Sequence, residues 1–109
     1  MDKKVSVIIP TYKRSNFLLR AIDSVLNQTY PNIEVVVVDN NDPDSVFRLE
    51  TQEKMYKYKN DNKVLYIKNT KNLGGALARN QGIKKATGDY ITFLDDDDIY
   101  LPEKDKHSN

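Results

Sequence analysis

Four apolar runs punctuate an otherwise polar chain: Val5-Ser6-Val7-Ile8-Ile9, Val35-Val36-Val37-Val38, Val64-Leu65-Tyr66-Ile67 and Tyr90-Ile91-Thr92-Phe93-Leu94. They are rich in β-branched and aromatic residues and barely alternate with polar ones, the pattern of strands covered on both faces. Segments with helical spacing lie between them. Phe17, Leu18, Ala21, Ile22, Val25 and Leu26 fall on one stripe, with Ser15 placed to cap it and Thr29-Tyr30-Pro31-Asn32 to stop it. A second helix is expected to open at Asp42-Pro43-Asp44, with Pro43 in its first turn and acids near its positive end. Its apolar face is thin, only Val46, Phe47, Leu49, Met55 and Tyr56, and the stretch from Lys54 to Lys63 reads as solvated. A third helix is expected from about Gly74 to Ala86, with Ala76, Leu77, Ile83 and Ala86 inward and Thr87-Gly88-Asp89 ending it.

The order is therefore β-α-β-α-β-α-β. Strands joined through helices pair in parallel by right-handed crossovers. Helices on both faces account for the unbroken apolar strands. The fold class this predicts is α/β: a Rossmann-like open parallel sheet of strand order 3-2-1-4. The order reverses between the first and fourth strands, and ligands of such sheets bind outside the carboxyl ends of the strands at that reversal.

Composition narrows the functions such a sheet could serve. The chain has 109 residues, enough for one domain. Lys+Arg is 17 against Asp+Glu 16, a net charge of +1, which argues against nucleic acid or a membrane surface as a general partner. No cysteine is present, so disulfides, thiolate nucleophiles and thiolate zinc sites are excluded. A single histidine, His107, rules out a histidine metal cluster and leaves no basis for a Ser-His-Asp triad. Val5 to Ile9 is too short for a signal or transmembrane segment. The default placement is cytoplasmic, with peripheral membrane attachment open for a full-length enzyme.

Candidate chemistry gathers where each strand ends. Pro10-Thr11-Tyr12 follows the first strand with neither a Gly-x-Gly-x-x-Gly nor a P-loop pattern. Its hydroxyl and aromatic face suit a base or ribose, and equally make a polar turn. Asp39 ends the second strand, where a carboxylate can accept hydrogen bonds from a ribose or an imide N–H, or precede a helix cap. After the third strand, Gly74-Gly75 would let a ligand approach the N–H groups of a helix start. Arg79 lies one to two turns on, within reach of a diphosphate; the alternative is close helix packing with Arg79 as a surface charge. The fourth strand ends in Asp95-Asp96-Asp97-Asp98. Two carboxylates ~4 Å apart repel by roughly 4 kcal/mol at an effective dielectric of 20, so such a run calls for a shared cation. Magnesium or manganese fits, since both take oxygen ligands and keep positions open for phosphate oxygens. In an extended chain Asp95 would pair with Asp97 and Asp96 with Asp98. The plain alternative is a solvated acidic loop.

Taken together, these motifs resemble the family-two glycosyltransferases with the A-type nucleotide-sugar fold (GT-A). The resemblance rests on Val5 to Tyr12, Ala21 to Tyr30, Glu34 to Asp39, Asn72 to Gly82 and Ala86 to Asp98, in order and at matching spacing, nearly the whole chain up to Pro102. It implies an enzyme that moves a sugar from a nucleoside diphosphate to an acceptor with inversion at the anomeric carbon. By motif match, Pro10, Thr11, Tyr12 and Asp39 would hold the nucleoside, with Asp39 reading the base. Gly74 and Arg79 would lie near the diphosphate. Asp97 would be the main ligand to a manganese or magnesium ion, and Asp95 or Asp96 would touch the ribose or the donor sugar. The donor would be a nucleoside diphosphate sugar, uridine diphosphate being the commonest nucleotide in the family, and the acceptor an unspecified saccharide or lipid-linked group.

Two departures qualify the match. The family often follows its second strand with two acids and Gly-Ser, where this chain has Asp39-Asn40-Asn41-Asp42. The family's domain also continues past the metal motif to supply a carboxylate base and the acceptor site; here Leu101-Pro102-Glu103-Lys104 leads only to Asp105-Lys106-His107-Ser108-Asn109. Residues 1–104 are thus expected to be the nucleotide-sugar-binding part of a glycosyltransferase domain, and 105–109 a polar tail. No catalytic residue is assigned, and the half is expected to bind nucleotide without transferring sugar. The rival readings are a non-catalytic nucleotide-binding module and a structural fragment that self-associates through the surface its missing half should cover.

Overall fold

In the computed structural model, which describes residues 3–100, the apolar runs become strands of one sheet. The elements are β1 (Val5–Thr11), α1 (Leu18–Leu26), β2 (Ile33–Asp39), α2 (Val46–Met55), a 3-10 turn (Tyr56–Tyr58), β3 (Val64–Lys68), α3 (Gly75–Lys85) and β4 (Tyr90–Phe93). The sheet order is β3-β2-β1-β4 with every pairing parallel, as the alternation of strands and helices predicts. β1 sits opposite both β2 and β4, so the reversal of order lies between β1 and β4. Thr11 is level with Asp39 at the carboxyl rim.

Alternate residues of the central strands feed two cores. Val7, Ile9, Val35 and Val37 pack on Leu18, Ala21, Ile22 and Val25 of α1. On the opposite face Ile8, Val36 and Val38 meet Ala78 of α3. Gly82 lets α3 lie low on the sheet: a Cβ there would come within 2.7 Å of Ile8 Cγ2 and 3.2 Å of Val38 Cγ2.

The details differ from expectation where polar residues replace apolar ones at contacts. Only β1 and β2 are covered on both faces; Leu65 of β3 and Tyr90, Ile91 and Phe93 of β4 stay partly open, because these are the edge strands and α3 covers only the middle of its face. α1 begins at Leu18 rather than at a Ser15 cap, and Phe17 lies outside beneath the Arg20 guanidinium. Ser15 instead accepts a hydrogen bond from Lys54 Nζ. α2 is capped by Ser45, whose Oγ accepts from Arg48 N. It buries Arg48, Thr51 and Met55, while Val46, Leu49 and Tyr56 are exposed. Tyr58, inside the stretch expected to be solvated, is buried with its hydroxyl on Asp23. α3 turns Ala78 and Gly82 inward and leaves Ala76, Leu77 and Ile83 exposed. Among the described residues no helix is long and apolar enough to cross a membrane. The boundary at 104, the tail 105–109 and His107 lie outside the described residues.

Candidate functional site

The carboxyl rim of the sheet holds a crevice of about 570 Å³. Its walls come from every loop that leaves that rim: Pro10, Thr11, Tyr12 and Arg14 after β1, Asn40 after β2, Asn72, Gly74, Gly75, Ala78 and Arg79 around the start of α3, and Asp95 and Asp96 after β4. A somewhat larger groove of about 670 Å³ lies between α2 and β3, but it contains neither the acidic run nor a helix start.

The β1 loop owes its shape to hydrogen bonds from the next loop. Lys13 adopts φ +60, and its N–H donates to Asn41 Oδ1 at 2.6 Å. Thr11 Oγ1 lies 2.8 Å from Asp96 Oδ2 and 2.9 Å from the Arg14 carbonyl, so its one proton serves either acceptor. The loop before α3 is tied by asparagines. Asn40 Oδ1 accepts from Asn69 Nδ2 and Leu73 N, and Asn40 Nδ2 donates to Asn72 Oδ1. Gly74, at φ +83, then turns the chain so that α3 starts at the crevice. Asn72 Oδ1 accepts from Gly74 N, and with no side chain on the N-cap glycine the first-turn N–H groups beyond it have no side-chain cap at the crevice that Gly74 and Gly75 line.

Asp39 is placed differently from the sequence expectation. It is 0% exposed and is not among the residues lining the crevice. Its Oδ1 accepts from Asn41 N and Asn41 Nδ2 at 3.0 and 2.8 Å. Its Oδ2 accepts from the Tyr66 hydroxyl and lies 3.1 Å from Arg48 Nε, close enough to pair in charge but off the line of a hydrogen bond. Burial first, then this contact with Asp39, pushes the Tyr66 phenol well above its ordinary range. Arg48 Nη2 also donates to the carbonyls of Asn41 and Asn69 at 2.6 and 2.5 Å, pinning α2 to the ends of β2 and β3. A carboxylate offers about four acceptor positions; here three take hydrogen bonds and the remaining side faces the Arg48 charge. The crevice residue from this loop is Asn40.

The acidic run is a turn rather than an extended segment: Asp98 N donates to Asp95 O at 3.0 Å. The expected pairing of Asp95 with Asp97 therefore gives way to a grouping of Asp96 with Asp97 around Arg14. Asp96 is 4% exposed, with Arg14 Nε at 2.9 Å from Oδ1. Burial raises its carboxyl, more than the Thr11 hydroxyl and the Arg14 charge lower it. Asp97 is 47% exposed, with Arg14 Nη1 at 3.5 Å. It lines a smaller adjoining hollow with Arg14, Asn16, Phe17 and Asp96, so Arg14 and Asp96 form the wall between the two spaces. Asp98 turns back on the chain and accepts from Ile99 N.

Among the described residues no group of three or more acids, histidines or cysteines converges on one point. An all-protein metal cage is therefore not formed there. The donor set still fits a hard divalent ion, which commonly takes one or two carboxylates and completes its shell with phosphate oxygens and water. Asp97 is open enough to be such a ligand. Of the residues expected from the sequence, Pro10, Thr11, Tyr12, Gly74, Arg79, Asp95 and Asp96 share the crevice, Asp97 adjoins it and Asp39 lies beneath it. The residues missed are Arg14, Asn40 and Asn72. An arginine just after a strand looks like an ordinary surface charge; only an acidic run destined for the same rim hints at its partner.

Comparison with known proteins places this geometry. The profile of glycosyl transferase family 2 matches residues 6–107. An uncharacterized glycosyltransferase of Rickettsia bellii is 45% identical over 104 residues, 94% of this chain and 14% of that protein. The crystal structure of S. aureus TarS superposes with a TM-score of 0.78 at 32% identity, covering 96% of this chain and 31% of that one. The mannosyltransferase PcManGT from Pyrobaculum calidifontis, solved in complex with GDP-Man and Mn2+, gives 0.77 at 25% identity, covering 94% and 30%. The chain thus spans less than a third of the length of each of these relatives.

Proposed function

This chain belongs to glycosyl transferase family 2, and from that premise we propose that it is the donor-binding part of a metal-dependent, inverting glycosyltransferase that uses a nucleoside diphosphate sugar. The observation that carries the reading is the crevice itself, where Thr11 and Tyr12, the uncapped start of α3 and the acidic turn meet at the reversal of strand order. Tyr12 offers a ring to a base, and Thr11 and Asp96 offer polar contacts to a ribose. The α3 start and Arg79 supply positive potential for a diphosphate. Asp39 serves from below, fixing Asn41 and through it the β1 loop. Asp97 would hold a manganese or magnesium ion, with Asp95 or Asp96 touching the ribose or the donor sugar, and such an ion neutralises charge on a departing diphosphate. Transfer also needs an acceptor in line with the anomeric carbon and a base within about 3 Å of its hydroxyl. We assign those to parts of the longer relatives that this chain does not span, and expect the 109 residues to bind without transferring.

Calorimetric titration of uridine, guanosine and thymidine diphosphates, with and without manganese, tests the reading. At least one should bind more tightly with manganese, and Asp97→Asn should remove most of that gain. Asp98→Asn should do less, since Asp98 already caps Ile99 N. Binding indifferent to both manganese and Asp97 would refute the metal assignment, and sugar transfer by the 109-residue chain would refute the donor-half assignment.

A further inference from the structure

We infer that Arg14 is a positioning residue whose guanidinium neutralises the same carboxylates a divalent cation would take, so that ion entry and displacement of its side chain are coupled. The inference rests on the reading of Asp97 as a metal ligand. Arg14 Nε lies 2.9 Å from Asp96 Oδ1 and Nη1 3.5 Å from Asp97 Oδ2, so one guanidinium bridges two carboxylates on adjacent residues. That is where a shared cation relieves the repulsion of the acidic turn. The fork of the guanidinium matches such a pair in a way a point charge does not.

The surroundings make Arg14 displaceable while the acids stay put. Its side chain is 59% exposed. Asp96 keeps the Thr11 hydroxyl, and the Asp97 carbonyl is held by Arg20 Nη2 at 3.1 Å, neither of which depends on the Arg14 side chain. The Arg14 backbone is fixed, because its neighbour Lys13 is tied to Asn41 and its own carbonyl faces Thr11. The side chain alone is free to swing, and it already lines the main crevice beside Arg79 and the α3 start. A cation arriving at Asp97 would push the guanidinium toward that space, where an anionic diphosphate would receive it.

The test uses the 109-residue chain and manganese alone, read by calorimetry or by the loss of the free-ion electron paramagnetic resonance signal. Affinity should rise from wild type to Arg14→Lys to Arg14→Met, reaching about tenfold, the scale of one charge-assisted hydrogen bond given up. A merely structural residue would leave metal affinity unchanged or lower it on substitution. An independent reading needs no variant: magnesium added to the wild type should shift the Arg14 Nε–H resonance and speed its exchange with water. Manganese binding through Asp97 that is blind to residue 14, or an unmoved Arg14 signal with magnesium bound, overturns the inference alone. If manganese binds neither wild type nor Arg14→Met, even with uridine diphosphate present, the metal reading falls and takes this inference with it.

Discussion

Asp39 and Asp96 flank Thr11 at the same rim, both almost fully buried and both paired with an arginine, yet they are built for opposite ends. Asp39 faces Arg48, itself buried, with a tyrosine hydroxyl and two asparagine N–H groups completing the shell. Asp96 faces Arg14, which is mostly in solvent. Burial of an acid does not separate a structural carboxylate from a ligand; the accessibility of its counter-ion does. A closed shell cannot release its acid without leaving a charge stranded, whereas an open one exchanges one cation for another.

The largest effect should separate the two arginines. Arg48→Met strands Asp39 and should cost about 3–5 kcal/mol of unfolding free energy. Arg14→Met removes a mostly solvent-exposed counter-ion from Asp96, which keeps the Thr11 hydroxyl, and should cost less, about 1.5 kcal/mol, the scale of one charge-assisted hydrogen bond. Urea denaturation of both variants measures this, and equal losses would erase the distinction.

A third buried acid, Glu34 at the amino end of β2, sharpens the comparison from the other rim. It accepts from Ser6 Oγ, Thr87 N and Thr87 Oγ1 and pairs with Lys4. Burial alone would raise its carboxyl, but these hydrogen bonds and the Lys4 charge together bring it below the usual 4.5. A lowered folded value stabilises above the unfolded one, so this contribution is present above pH 4.5 and fades as pH falls through the folded value. Glu34→Gln should therefore cost about 1–3 kcal/mol at neutral pH. It should also flatten the acid limb of the stability curve, and an unchanged limb would show that the shell is not closed.

The smallest effect belongs to Tyr66→Phe, which removes one of Asp39's donors and should cost about 1 kcal/mol. Its signature is alkaline. The folded phenol is raised above the ordinary 10.0, so its contribution is complete below pH 10.0 and is lost as pH rises beyond it. Stability profiles of wild type and Tyr66→Phe should converge there, and parallel profiles would count against the Tyr66–Asp39 contact.

The strands and their order were legible because Val35–Val38 is an unbroken β-branched run and Val5–Ile9 is broken only by Ser6, a pattern that a doubly covered strand explains. α2 was legible as a helix but not in its packing, because two of its three buried positions are Arg48 and Thr51, residues whose burial depends on carbonyls brought near by other loops. The rim was legible at Thr11, Tyr12 and Gly74, where residue type and strand end coincide. The depth of Asp39 below the rim was not legible, since alternation along a strand does not tell whether an acid at its last position meets solvent or an arginine from the following helix. Nor was the pairing within the acidic run, where turn geometry regrouped the carboxylates.

The left-handed residue Lys13 has a consequence for anyone who would transplant this site. Left-handed backbone costs an ordinary residue about 1–2 kcal/mol, and here Asn41, on a different loop, accepts the N–H that goes with it. The template for the first loop is thus written in the second. Grafting residues 11–15 onto another scaffold without residues 39–41 would carry the letters and lose the shape, so the two loops form the smallest portable unit.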